Sequence, residues 1–168
     1  MTIMLSGDAS AAAECEPVFA AIAAKRLVLG SRPGDAASFK ILNNQLAAAN
    51  LAAGAAAMAL AIRAGIDPRR FLEVVNASSG ASWIFADRMA RALDGDYAPR
   101  AATKILTKDI GIAIETAAAL DVEAPLARGV HEMFLAAVAA GYGNEDDAAL
   151  LKLCCDRAGI AWPRGSEV

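Results

Sequence analysis

Hydrophobic and polar positions divide the chain into a short β-like opening and a long helical remainder. Thr2 to Leu5 is an apolar run of strand length, closed by the turn Ser6-Gly7-Asp8. Asp8 or Ser10 can cap a helix that the pattern carries to about Ala24. Arg26 to Leu29 is a second short strand, ended by Gly30-Ser31-Arg32-Pro33-Gly34. Strand, helix, strand is the grammar of a parallel sheet, and two strands do not complete one. From Ala36 to Ala64 there is no proline and alanine dominates, which predicts one helix of roughly 40 Å. Between Leu46 and Ile62 that helix is apolar on nearly every face, so it is expected to be buried all round.

The remainder reads as helices joined by short links. Gly65 follows the long helix, Asp67 caps the next and Pro68 opens it, with Asn76 near its end. Ser78 to Ser82 is a link of small residues before a helix from Trp83 to Leu93, stopped by Asp94-Gly95-Asp96, and Tyr97-Ala98-Pro99 is a turn. Thr107 is expected to cap a helix with Lys108 and Asp109 in its first turn and Ile110, Ala113, Ile114 and Ala117 on one face. Pro125 starts a helix to about Ala140, and 141–145 is a loop. Asp146 caps a last helix to about Ala158, and a loose tail follows from Gly159. The predicted class is mainly α, an all-helical domain preceded by strand-helix-strand.

Composition narrows the functions. Of 168 residues 57% are hydrophobic but only 5% aromatic, so the core must be built from Ala, Leu, Ile and Val. A formal charge of -3 argues against a general nucleic-acid binder. Three cysteines, with Cys154 and Cys155 adjacent, make no disulfide framework and fit a reduced, cytoplasmic compartment. His131 is the only histidine, which excludes a His-rich metal site. No secretory signal is readable at the start. The apolar run from Leu46 to Ile62 is alanine-rich, short of about 20 residues and interrupted by Asn50, so a buried soluble helix is expected rather than a membrane span.

Among polar residues, Lys40 and Asn44 stand out. They sit at i and i+4 and share a face near the head of an apolar helix, behind small residues that let a ligand approach. A lysine that is partly buried near other cations would have its charged form disfavoured, as a general base requires. On spacing alone, Lys40 as a solvated helix lysine and Asn44 as a satisfied amide remain open. Lys108 near a helix N-terminus opposes the dipole, which suggests that it faces an anion; solvent exposure is the alternative. Asp109 is explained by the dipole, Asp146 by capping, and His131, Cys154 and Cys155 by packing. Ser79 and Ser82 suit either a plain linker or the lining of a cofactor cleft.

These motifs taken together resemble the β-hydroxyacid dehydrogenase family: Lys40 to Asn44 after a glycine turn, Lys108-Asp109, and Gly141-Tyr142-Gly143-Asn144-Glu145-Asp146. That family includes 3-hydroxyisobutyrate dehydrogenase, tartronate semialdehyde reductase and, more distantly, 6-phosphogluconate dehydrogenase. Gly80 to Phe85, Asp94 to Pro99 and His131 to Leu135 look most like its L-threonate dehydrogenase branch. The resemblance implies that residues 1–33 are the end of an NAD-binding Rossmann domain, 34–158 the helical C-terminal dehydrogenase domain and 159–168 a tail. It implies Lys40 as acid/base and Asn44 as substrate orienter, Lys108 and Ser82 toward the cofactor, and Lys108 toward the substrate carboxylate. The intact enzyme is expected to use NAD or NADP on a small hydroxy acid or threonate-like sugar acid. It is expected to form a homodimer or larger oligomer through helix 36–64, with neither nucleic acid nor membrane as partner. The sequence departs from the family pattern in having no Gly-x-Gly-x-x-Gly, no serine-glycine carboxylate loop, and Ala36 where glycine is frequent. This chain alone is therefore expected to bind no cofactor tightly. The rival reading is a non-catalytic helical dimerisation fragment from a truncated reading frame.

Overall fold

The computed structural model describes residues 1–164, which form two compact units dividing after Asn44. In the first unit, β1 (Thr2–Leu5) and β2 (Lys25–Val28) pair in parallel, with Thr2 opposite Lys25 and Leu5 opposite Val28. β2 begins one residue earlier than the apolar run suggests, and Leu29 N–H still donates to the carbonyl of Leu5 at 2.8 Å. The connection expected as one helix is two, α1 (Ala9–Glu14) and α2 (Glu16–Ile22), which meet at Cys15. Pro17 explains the break. It has no N–H to donate, and its ring would collide with the carbonyl four residues back, so it is tolerated only in the first turn of a new helix. Asp8 caps α1 by accepting from Ala11 N–H at 2.9 Å.

The long helix α3 (Asp35–Arg63) starts in this unit. Ser6 Oγ accepts from Ala36 N–H at 3.0 Å, tying the helix head to the end of β1. Gly30 adopts a positive φ of 149°, and a Cβ there would lie 2.5 Å from the Asp35 carboxylate. Only glycine lets the loop after β2 pass so close to the first residue of α3. These contacts place the head of α3 with the strands. The division between the two compact units falls inside the helix, after Asn44.

The second unit holds the rest of α3 with α4 (Pro68–Asn76), α5 (Trp83–Leu93), α6 (Thr103–Ala119), α7 (Pro125–Ala139) and α8 (Leu150–Ala158). Short 3₁₀ turns at Tyr142–Asn144 and Asp147–Ala149 precede α8. Its core gathers Leu51, Met58, Phe85, Met89, Ile110 and Phe134. Gly54 of α3 makes room for Phe85, since a Cβ there would stand 2.4 Å from the ring. The expectation that α3 is buried all round is corrected for the single chain. Ala48, Leu51, Ala52, Ala55 and Met58 are buried, whereas Leu46 is 63% and Leu60 70% exposed.

Helix α6 starts five residues earlier than the sequence suggests. Its head is fixed by pairing between distant segments: Thr103 N–H donates to Glu145 O at 2.9 Å, and Ala102 bridges Asp146. Thr107 is no cap. Its hydroxyl donates to the Thr103 carbonyl at 2.8 Å from within the helix, so Lys108 and Asp109 lie in the second turn. The tail expected to be loose from Gly159 packs over residues 160–164; the rest of that expectation lies outside the described residues. Trp162 stands edge-on to Tyr97 at 5.7 Å, and the Lys152 ammonium lies 4.2 Å from the Trp162 ring and 4.0 Å from the Tyr97 ring.

Candidate functional site

β1 and the head of α3 line an open cleft of about 320 Å³ in the first unit. It is lined by Thr2 and Met4 of β1 and by Ala36, Ala37, Lys40, Asn43 and Asn44 of α3. The arrangement follows from two periods. Thr2 and Met4 alternate to one face of β1, and the five helix residues recur at three- and four-residue spacing on one face of α3. Alanine at 36 and 37 keeps the near wall low. The cleft thus presents an ammonium, two amides and a hydroxyl above an apolar floor, a donor-rich lining suited to a small oxygen-bearing ligand.

Lys40 and Asn44 therefore share this cleft, as their spacing predicts. Lys40 is exposed, and among the described residues no other cation lines the cleft, so these residues do not form the partly buried setting among cations that a lowered lysine would need. Asn43, which was not singled out from the sequence, lines the same cleft and donates from Nδ2 to Asn44 Oδ1 at 3.4 Å. Its position three residues after Lys40 is the signal that could have found it.

The other two predicted residues belong to the second unit. Lys108 is exposed on α6, with its ammonium 2.8 Å from the buried Asp109 carboxylate. Asp109 is thus a partner for Lys108 as well as a helix residue. Ser82 caps α5: its hydroxyl oxygen accepts from Phe85 N–H at 3.2 Å. The same hydroxyl retains an O–H to donate.

A second polar group in this unit went unread in the sequence. Asp146 and Asp147 are buried beside Asp87, Arg88 and Arg91 of α5. Asp146 is more than a cap. It accepts from Ala148 N–H at 3.2 Å, Arg100 N–H at 2.9 Å and Arg91 Nη2 at 3.2 Å. Burial alone would push its carboxyl up, but these donors together hold it below the ordinary range. Asp147 pairs with Arg88, yet burial outweighs that guanidinium and lifts its carboxyl to about 6. Arg88 is itself displaced upward: burial opposes its charge, and the carboxylates of Asp147 and Asp87 more than restore it. The cluster ties α5 to the 3₁₀ turn ahead of α8 and to the segment before α6.

The chain is mainly α and opens on a parallel strand pair, with a lysine and two amides on one cleft wall. Residues 34–154 match the family described as NAD-binding of NADP-dependent 3-hydroxyisobutyrate dehydrogenase, and the chain belongs to that family. It is 43% identical over 153 residues to an L-threonate dehydrogenase of Cupriavidus necator, covering 91% of this chain and 52% of the relative. Among solved structures it is similar to a 3-hydroxyisobutyrate dehydrogenase of Salmonella typhimurium, with 42% identity, a TM-score of 0.83, and coverage of 88% of this chain and 52% of that one. A Mycobacterium tuberculosis 3-hydroxyisobutyrate dehydrogenase solved with L-serine matches at 26% identity and a TM-score of 0.81, over 90% of this chain and 54% of that one. The chain spans about half the length of the relatives it matches.

Proposed function

We propose that this chain supplies the helical part of an NAD(P)-dependent oxidoreductase that acts on a small β-hydroxy acid or threonate-like sugar acid. The observation that carries the reading is the convergence of Lys40 and Asn44 on one cleft of the first unit. Oxidising a secondary alcohol requires a base for the hydroxyl proton and a fixed substrate pose. In this reading Lys40 Nζ takes the proton and Asn44 orients the hydroxyl and its neighbours. The nicotinamide, when bound, accepts the hydride. Lys108 offers an exposed ammonium that fits a cofactor phosphate or a substrate carboxylate, and the Ser82 O–H can donate to an anionic group. Both therefore fit an anionic dinucleotide. This sequence contains no glycine-rich pyrophosphate turn, so the chain by itself is expected to bind NAD weakly or not at all.

The relatives' printed substrates, L-threonate and 3-hydroxyisobutyrate, share a carboxylate and a nearby hydroxyl, as does the L-serine held by the mycobacterial relative. The apolar exposed side of α3, with Leu46 and Leu60, supports assembly into a dimer or larger oligomer through that helix. By length and composition α3 could also span a membrane, but its buried face in the second unit and the family it belongs to favour a soluble, cytoplasmic protein with neither membrane nor nucleic acid as partner.

The test joins this chain to the preceding half of the Cupriavidus L-threonate dehydrogenase and follows NAD(P)H formation from L-threonate. Lys40→Ala should lower turnover roughly 10²–10⁴-fold with the fold intact. Lys40→Arg should fail as well, because a guanidinium keeps its proton at working pH. Near-full activity in Lys40→Ala would remove the lysine from the mechanism.

A further inference from the structure

The two walls of the cleft are unlike. The helix wall carries Lys40, Asn43 and Asn44, whereas the strand wall carries one hydroxyl, on Thr2, beside the thioether of Met4. Their relative placement follows from one hydrogen bond and two rises. Ser6 Oγ accepts from Ala36 N–H at 3.0 Å, which fixes the end of β1 against the head of α3. Thr2 lies four residues before Ser6, roughly 13 Å back along the strand. Asn44 lies eight residues beyond Ala36, roughly 12 Å along the helix. Both line the same cleft, so from that anchor β1 and the head of α3 run side by side in opposite senses. Thr2 therefore stands across from the Asn43–Asn44 turn, and Met4 across from Lys40. Thr2 is exposed and meets β2 through its backbone, opposite Lys25, so the sheet does not need its side chain.

We propose that Thr2 is a ligand-binding residue: its hydroxyl holds, from the strand wall, an oxygen of the hydroxy acid other than the one Lys40 deprotonates. The inference rests on the hydroxy-acid reading of the cleft given above. A ligand gripped by α3 alone can swing about that one wall. A contact from the opposite wall, about one helical turn along from Lys40, stops the swing and keeps the reacting hydroxyl against the lysine. The second oxygen belongs either to the carboxylate, which accepts from the Thr2 O–H, or to a further hydroxyl, which can accept or donate. Threonine suits the task. Its branched Cβ leaves few χ1 rotamers, so the direction of the hydroxyl is held at little cost in entropy.

The test titrates the ¹⁵N-labelled 168-residue chain with L-threonate and with 3-hydroxyisobutyrate at millimolar concentration, read at the backbone amides of residues 36–44. Thr2→Val keeps the branched shape and the strand preference and removes the hydroxyl. Its ligand-free spectrum should match wild type, because β1 pairs with β2 through the backbone. Its affinity for L-threonate should fall roughly 3–10-fold, the worth of one hydrogen bond. Thr2→Ser, which returns the hydroxyl, should recover most of the loss. The second acid tells the two oxygens apart. An equal loss with 3-hydroxyisobutyrate assigns the carboxylate to Thr2, and a loss confined to L-threonate assigns a hydroxyl. Unchanged affinity for both acids in Thr2→Val would overturn the proposal alone, as would equal losses in Thr2→Val and Thr2→Ser. If the wild-type chain binds neither acid, the hydroxy-acid reading of the cleft fails and the proposal fails with it.

Discussion

In residues 1–44 a single residue, Ala23, is buried, whereas the second unit buries whole side chains from α3, α5, α6, α7 and α8 around Phe85 and Phe134. The first unit is a two-stranded parallel sheet with two short helices and the head of α3. Sheets of two strands are marginal in water, because few apolar side chains leave solvent when they form. The cleft with Lys40, Asn43 and Asn44 belongs to this thinly packed unit, and the stabilising core belongs to the other. The contrast separates two demands on the chain. A cleft needs open walls and reachable polar groups, whereas stability needs area removed from water.

The largest effect that can break this comparison is a cavity at the centre of the dense unit. Phe85→Ala should cost about 3–5 kcal/mol, since the ring fills the space left by Gly54 and the surroundings cannot collapse fully. Hydrogen exchange read residue by residue is the measurement. Protection in 45–164 should fall sharply, while amides of β1 and β2 should exchange fast in wild type and variant alike. Strands as strongly protected as the Phe85 helix in the wild type would end the contrast.

A smaller effect sharpens the picture of how the dense unit tolerates buried charge. Asp147 titrates at about 6 when folded, above the ordinary 3.8, mainly because burial disfavours its charged form. The folded state therefore binds this proton more tightly, and the stability this carboxyl contributes is present below about pH 4 and lost as pH rises through about 6. Asp146, held low, contributes with the opposite slope. Asp147→Asn should remove the decline between pH 4 and 6, an amplitude of up to about 3 kcal/mol in the wild-type-minus-variant difference. A difference that stays flat across that window would show that the Arg88 pairing governs the site instead.

Next in size is the strap formed by residues 159–164. Trp162 helps Tyr97 box the Lys152 ammonium, which also pairs with Glu145 at 2.6 Å. Trp162→Ala should cost about 2 kcal/mol in chemical denaturation, from lost ring packing and cation–π attraction. No change would return this segment to the loose tail expected from its composition.

What the sequence reveals about this chain is what local chemistry decides. Asp67 and Pro68 announce α4, Gly65 ends α3, and Pro125 opens α7, because caps, left-handed turns and proline act within one turn of the backbone. Lys40 and Asn44 meet in one cleft because i, i+4 spacing guarantees a shared face. Pro17 marks a helix start by the same chemistry, and the reading of a single helix up to Ala24 passes over it. The start of α6 was not legible locally. Thr107 is a good cap by type, yet the helix starts after Ala102 with no side-chain cap, and that start is set by Thr103 pairing with Glu145 and Asp146 more than forty residues away. The Asp146–Arg91 and Asp147–Arg88 pairs likewise span 55 and 59 positions, so nothing in the neighbourhood of either aspartate predicts its partner.

The smallest predicted effect bears on whether a site residue can also be a structural one. Ser82 is the N-cap of α5, and its hydroxyl satisfies Phe85 N–H, one of the orphan donors at the helix start. Ser82→Ala should therefore lower the stability of the second unit by about 1 kcal/mol with no nucleotide present. Ser82→Asp should keep the cap, because a carboxylate accepts from the same N–H and suits the positive helix end. The same variant would repel an anionic cofactor. In the joined enzyme, a role toward the dinucleotide predicts that Ser82→Asp raises the KM for NAD(P) while leaving the melting midpoint near wild type. If Ser82→Asp matches wild type in both KM and melting, the hydroxyl serves the helix alone. If Ser82→Ala costs no stability, the cap is replaceable by water, and the cofactor becomes the stronger reason for a serine at this position.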